Sequence, residues 1–286
     1  MIGRVTELPG RVRLVIFDLD GVIYRGADPV AGAPELVAWL HASSVAVRFA
    51  TNNSTVAREG YVDRLASMGI AATADEIVTS TTATIEHLHL HAPEVRRVLG
   101  VGASGMEDEL RAAGFDVVMA GSLAASASSG APIAGFDAVI VGLDPALDYG
   151  RLAAAMAAIA AGARFIATNA DARYPTPAGF APGAGATVAA LATATGVAPD
   201  VIGKPAPAMF RAIFESSGIP SDACVVVGDN PDADVAGAHR AGCAAILVLT
   251  GVADRARAES LTGELVPDAI ADDPAAVRDL LASRLS

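Results

Sequence analysis

"VIFDLDGVIYRG", residues 15–26, runs three apolar residues into two aspartates set two apart. Val15, Ile16 and Phe17 read as the end of a buried strand, and Gly21 follows Asp20 at once. Side chains two apart on an extended segment point the same way, so Asp18 and Asp20 share a face. A strand end is a costly place for two such carboxylates unless something there needs charge.

Outward from this stretch, strand-like and helix-like runs alternate. The pattern predicts a strand over Val12–Phe17, a helix over Pro34–Ala42, a strand over Val45–Ala50 and a helix over Val56–Met68. Further on come "DACVVVGD" (222–229), "PDADVAGAHRAG" (231–242), "AAILVLTG" (244–251) and a final helix over Pro274–Leu285. Continuous Val/Ile/Leu strands separated by helices specify an α/β fold, a doubly wound parallel sheet covered on both faces. Ser54 and Lys204 are separated by 149 residues, far more than one crossover needs. That stretch holds its own strands, "RRVLGVG", "FDVVMA", "DAVIVGL" and "RFIATN". The expected organisation is a core of residues 1–81 and 183–286 with an inserted α/β domain, 82–182. There is no internal repeat, and "GSLAASASSGAP" (121–132) reads as a flexible loop.

The chain of 286 residues is 52% hydrophobic and carries a formal charge of −12, with no Lys/Arg cluster. Nucleic acid and anionic membrane are poor partners for such a surface. No apolar run is long enough to span a bilayer: the nearest, Leu152–Ala167, is broken by Arg164. The opening "MIGRVTELPGRVR" (1–13) lacks a signal-peptide core. Cys224 and Cys243, 19 apart and each beside an apolar strand, read as core residues in a reducing compartment rather than as a disulfide. The expected location is the cytoplasm.

Ligands of open parallel sheets bind at the carboxyl ends of the strands. The first strand delivers Asp18, Asp20 and Gly21 there. The second delivers "TNNS", Thr51 to Ser54, expected to open a helix. "ACVVVG" delivers Asp229 and then "NPDAD", and "GKP" with Lys204 precedes another helix. Free N–H groups at a helix start, Thr51 and Asn52 as donors and the Lys204 ammonium together suit a phosphate. Two carboxylates ~4 Å apart repel by about 4 kcal/mol at an effective dielectric near 20, and a phosphate dianion adds to that. A divalent cation resolves the conflict, and all-oxygen ligation beside phosphate points to Mg²⁺. One carboxylate is then available as nucleophile and another as general acid–base. Simpler readings compete. Asn230 reads as a helix N-cap with Pro231 first inside, so Asp232 and Asp234 suit the dipole without further purpose.

"DLDGV", "TNNS", "GKP" and "GDNPDAD" resemble, in order, the four motifs of the haloacid dehalogenase (HAD) superfamily. The large insert is similar to the C2-type cap of subfamily IIA, which includes the NagD-type and 4-nitrophenyl phosphate phosphatases. The stretch 167–186 resembles that group's return from cap to core. The resemblance implies Asp18 as nucleophile and Asp20 as acid–base. It implies Mg²⁺ on the Asp18 carboxylate, the Asp20 main-chain oxygen and Asp229. Thr51, Asn52, Asn53 and Lys204 would bind phosphate, with Asn230 and Asp234 in support. The substrate would be a small phosphorylated metabolite, the cap would close over it, and two copies would pair through their caps. Asn169, Asp171 and Arg173, after the last cap strand, are candidates for substrate choice. Ala233 stands where the group often has Thr, and Ala170 where Pro is common.

Two rivals come from other classes. Gly100, Gly102 and Gly105 spell G-x-G-x-x-G between a strand and "MEDELRAAG", the fingerprint of an NAD-dependent oxidoreductase, but the next strand ends in Met119 and Ala120, not in an acid. A non-catalytic phosphate-binding protein would share most of the site. "HLHLH" sets His87 and His91 on one helical face, a possible zinc pair. One Trp and four Tyr give no base-stacking signature, so the substrate has no signature in the sequence.

Overall fold

The computed structural model describes residues 7–176 and 179–285. The first six residues of the 1–13 opening, Pro177 and Ala178 of the return segment, and Ser286 lie outside the described residues. Contacts divide the chain into two units. One runs up to Thr51, resumes at Arg58–Val78 and continues from Lys204; the other is Asn52–Ala57 with Thr79–Gly203.

The first unit is built on a six-stranded sheet in the order Ala269–Ala271, Ala244–Val248, Cys224–Gly228, Leu14–Phe17, Ala46–Thr51, Ile77–Thr79. The first five are parallel. All four residues of Leu14–Phe17 are buried, as a strand covered on both faces requires. Val15 and Phe17 join the core formed with Leu36, Val37 and Leu40 of the helix Ala33–Ala42 and with Val277 and Leu281 of Pro274–Ala282. Leu14 and Ile16, equally buried, point to the opposite face. Phe17 lies level with Val227 on one neighbour and Phe49 on the other. One residue further, the register brings Asp18, Gly228 and Ala50 to the same carboxyl edge.

The inserted unit carries a parallel five-stranded sheet in the order Asp200–Val201, Arg164–Ala167, Ala138–Val141, Arg97–Val101, Asp116–Met119. An antiparallel hairpin, Arg173–Thr176 with Gly179–Pro182, follows it. No helix among the described residues is long and apolar enough to cross a membrane.

Three expectations change. The inserted unit is Thr79–Gly203 with Asn52–Ala57, not 82–182, so the return to the core falls at Gly203/Lys204. Val188 and Leu191 of the helix Ala184–Thr195 belong to the inserted unit's apolar core, and Asp200 pairs with Ile166. Residues 121–132 are not wholly a loop: a 3₁₀ turn, Ala120–Leu123, leads into a helix, Ala124–Ser128. Leu123 and Ala127 pack on the same core, so small residues here serve close packing. Finally, the helix after "TNNS" starts at Arg58, not Val56. Asn53 Oδ1 accepts from the Thr55 N–H at 2.9 Å and its hydroxyl at 2.7 Å, a local turn that competes with a helix start.

Candidate active site

Two strand ends and the helical turn Pro231–Val235 of the first unit converge on Lys204. Its ammonium donates to Asp18 Oδ1 at 2.5 Å, Asp234 Oδ1 at 2.7 Å and the Ala50 carbonyl at 3.1 Å. Burial works against that charge, but Asp18 and Asp234 outweigh it and hold the ammonium above its ordinary value. Lys204 is buried, 3% exposed, and not a solvated loop lysine.

Asp18 N–H donates to the Val227 carbonyl at 2.9 Å, which fixes its backbone against the neighbouring strand. Burial pushes its carboxyl well above the usual range; Lys204 pulls it down, and Asp234 and Asp229 push it up again. Asp229 is pushed up to about 7 by burial and then by Asp234, against the Val252 N–H and Lys204. Three carboxylates around one lysine leave two negative charges unbalanced, a like-charge cost that a bound cation would relieve.

The sequence reading left Asp234 undecided between a dipole partner and a supporting residue. It is 1% exposed, bonds Lys204 and accepts from the Asn230 N–H at 3.1 Å. Asn230 Oδ1 caps the following turn through Asp232 N–H at 3.0 Å. Asp232 keeps the simpler role: it is exposed and pairs with Arg257 at 3.0 Å.

Asp18, Asp229 and Asp234 each offer a carboxylate oxygen, all within 4.8 Å of one another. The donors are all oxygen, as a hard divalent cation prefers. The backbone around Asp229 is shaped for it: a Cβ on Gly21 would stand 2.3 Å from Asp229 Oδ2, and one on Gly251 1.8 Å. The same Oδ2 accepts from the Val252 N–H at 2.6 Å. Asp234 is committed to Lys204 and Asn230, which leaves Asp18 and Asp229 as the carboxylates suited to a cation. The loop Thr250–Val252 was not singled out from the sequence, although it follows "AAILVL" at a strand's carboxyl end, where a site is expected. Thr250 Oγ1 donates to the Gly21 carbonyl at 2.7 Å and ties this loop to the turn after Asp20.

Asp20 lies at the root of that turn and keeps a solvent-exposed face. Burial of the rest raises its carboxyl, with Arg64 and Lys204 opposing. Thr51 ends its strand buried in the first unit, and Asn52 and Asn53 follow it directly. Within the inserted unit, Asn52 Nδ2 donates to both Asp171 oxygens at 3.0 and 3.2 Å, and Asn169 Nδ2 donates to the Asn52 carbonyl at 2.7 Å. Asn52, Asn169 and Asp171 are therefore brought together, while Arg173 lies in the hairpin with its guanidinium 5.7 Å from the Phe180 ring centre.

The rival readings lose ground on packing. The space a Cβ would need at Gly102 is filled by Met106, and at Gly105 by the Thr55 carbonyl at 2.6 Å, so these glycines serve close approach within the inserted unit. His87 pairs with Asp200 at 3.3 Å and lies 4.7 Å, ring to ring, from His91, while His89 stacks on Phe115. Among the described residues, only the three aspartates bring three ligand atoms this close.

Family models agree with this architecture. Residues 15–116 match the haloacid dehalogenase-like hydrolase model and residues 201–277 the HAD-hydrolase-like model. An acid sugar phosphatase of Staphylococcus aureus is 33% identical over 237 residues, 83% of this chain and 86% of that protein. Two solved structures share the fold. A glycerol phosphate phosphatase from Mycobacterium tuberculosis, in complex with magnesium, superposes with a TM-score of 0.82 at 32% identity, covering 95% of this chain and 78% of its own. A 4-nitrophenylphosphatase from Thermotoga maritima gives 0.83 at 30% identity, covering 94% and 97%. An α/β hydrolase core with an inserted α/β cap and an acid–lysine centre is the class this chain defines. The chain belongs to the haloacid dehalogenase-like hydrolases, and within them to the cap-bearing phosphoric monoester hydrolases of the 4-nitrophenylphosphatase type.

Proposed function

We propose that this protein hydrolyses small phosphate monoesters, of the sugar or glycerol phosphate kind, with Mg²⁺ and through an aspartyl-phosphate on Asp18. The observation that carries the reading is Lys204 bonded between Asp18 and Asp234, with Asp229 completing the acid group. Two relatives support this substrate class by their names, one a sugar phosphatase and another a glycerol phosphate phosphatase. The two buried free cysteines fit a cytoplasmic location.

In the first step an Asp18 oxygen attacks phosphorus and the bond to the leaving oxygen breaks. Asp20 gives its proton to that oxygen. In the second step water attacks the aspartyl-phosphate, Asp20 takes the water's proton, and the Asp18 carboxylate is released with inorganic phosphate. Lys204 orients Asp18 and, with Thr51 and the following Asn52 and Asn53, carries phosphoryl binding. Asp18, Asp229 and the Asp20 main-chain oxygen would hold Mg²⁺, which supplies charge neutralisation between carboxylate and phosphoryl oxygens. Substrate choice is assigned to the 169–173 loop, Arg173 above all, because Asn169 and Asp171 spend their side chains on Asn52.

Phosphate release from a panel of monoesters, in chelator and after Mg²⁺ is restored, tests this. Activity should vanish in chelator, return with Mg²⁺, and favour sugar and polyol phosphates over nucleotides. Full turnover in excess chelator would remove the cation from the reaction, and no release from any monoester would end the phosphatase reading.

A further inference from the structure

Asp20 is followed by a small hairpin in which Tyr24–Arg25 pairs with Asp28–Pro29. The root of the hairpin is tight: Asp20 bridges Tyr24, Gly21 N–H donates to the Tyr24 carbonyl at 2.8 Å, and Tyr24 N–H reaches the Leu19 carbonyl at 3.2 Å. The backbone of Asp20 is therefore tied directly to that of Tyr24. The Tyr24 side chain is fully buried.

One side chain from another element grips this hairpin twice. Arg64, on the helix Arg58–Ser67, lays its guanidinium 3.8 Å over the centre of the Tyr24 ring. Its Nη2 also donates to the carbonyl of Gly26, at the hairpin tip, at 2.5 Å. A planar guanidinium stacks with its face and donates with its edge at once; an ammonium has no such division of labour.

We propose that Arg64 is a positioning residue for the hydrolysis: by clamping Tyr24 and Gly26 it holds the turn that aims the Asp20 carboxylate at the leaving oxygen. The inference rests on the phosphatase reading above. Its signature is a loss that depends on the leaving group, because an alkyl ester needs the Asp20 proton and an aryl ester needs it less.

The test is single-turnover phosphoryl transfer from glycerol phosphate and from 4-nitrophenyl phosphate at saturating Mg²⁺, with Arg64→Met and Arg64→Lys. If the wild type transfers from neither ester, the phosphatase reading fails and the proposal falls with it, an outcome distinct from the ester comparisons that follow. Given wild-type transfer, Arg64→Met should slow the alkyl ester roughly tenfold or more, part of the ~10²–10⁴ that a general acid supplies, and the aryl ester by less than about threefold. The concentration dependence of both should stay within about twofold, since binding groups are untouched. Arg64→Lys should fall between, keeping the charge and losing the double grip. It carries the same comparison if Arg64→Met does not fold. Equal losses for the two esters, a change in substrate binding alone, or a lowered melting temperature with an unchanged ester ratio would each overturn the proposal and make Arg64 a structural strap.

Discussion

At the scale of single residues, the two aspartates of the opening stretch differ in place. Asp18 lies inside the acid–lysine group, 2.5 Å from Lys204, whereas Asp20 lies at the rim beside the Tyr24 hairpin. Asp18→Asn should abolish phosphate release from every ester. Asp20→Asn keeps the nucleophile, so an aryl ester should give a burst of leaving group and then stall, while an alkyl ester loses about 10²–10⁴-fold in the first step. Rapid-quench measurement of both esters checks this; equal losses without a burst would make Asp20 a positioning group. These residues were legible because short motifs carry strict chemical demands: an acid pair at a strand end, a buried lysine, an acid after "VVVG". Arg64 and Thr250–Val252 were not legible. Their contacts join segments far apart in sequence, Arg64 to Gly26 and Val252 to Asp229, and no local pattern announces such pairings.

At the scale of elements, period and composition placed the core strands and most helices within a few residues. They erred where side chains compete with the backbone or where small residues pack. "TNNS" looked like a helix start, but Asn53 turns back on Thr55 and the helix waits until Arg58. The Ala/Ser run at 121–132 looked like a loop because small polar-flanked residues carry no amphipathic signal, yet Ala127 reaches the inserted unit's core. The loop after the strand Ala244–Val248 shows how closely elements constrain the site. Gly251 allows the backbone against Asp229, and an added Cβ would stand 1.8 Å from Oδ2 and 2.4 Å from the carboxyl carbon. Gly251→Ala must therefore displace Asp229. The expected result is a Mg²⁺ requirement raised at least about tenfold, with activity largely regained at high Mg²⁺, the pattern of a disturbed ligand shell. Titrating Mg²⁺ into the variant with an aryl ester reads it directly; an unchanged half-saturation would show that Asp229 does not hold the ion.

At the scale of the whole molecule, the insertion itself was plain because the 149 residues between Ser54 and Lys204 hold more strands and helices than one crossover needs. Its far edge was not, because the two-residue strand Asp200–Val201 is too short to carry a pattern and is defined by its partner Arg164–Ala167. The same global view yields a pH dependence. Burial, with neighbouring acids, lifts Asp229 from 3.8 to about 7 and lifts Asp18 in the same direction. A carboxyl with a higher pKa folded than unfolded binds more protons in the folded state between those two values. Stability then falls as pH rises through that window and levels off above it. This contribution is present in full at the acidic end and lost by neutral pH. Mg²⁺ acts in the opposite sense, since it needs the ionised carboxylates and competes with their protons. The melting temperature of metal-free protein should therefore carry a falling component between about pH 4 and about pH 7. The rise produced by saturating Mg²⁺ should be larger near pH 8 than near pH 5. Thermal melts across that range, with chelator and with Mg²⁺, measure both, and the difference between them cancels every group the ion does not touch. An equal Mg²⁺ shift at both ends would mean that the protons on Asp18 and Asp229 and the cation do not share a site.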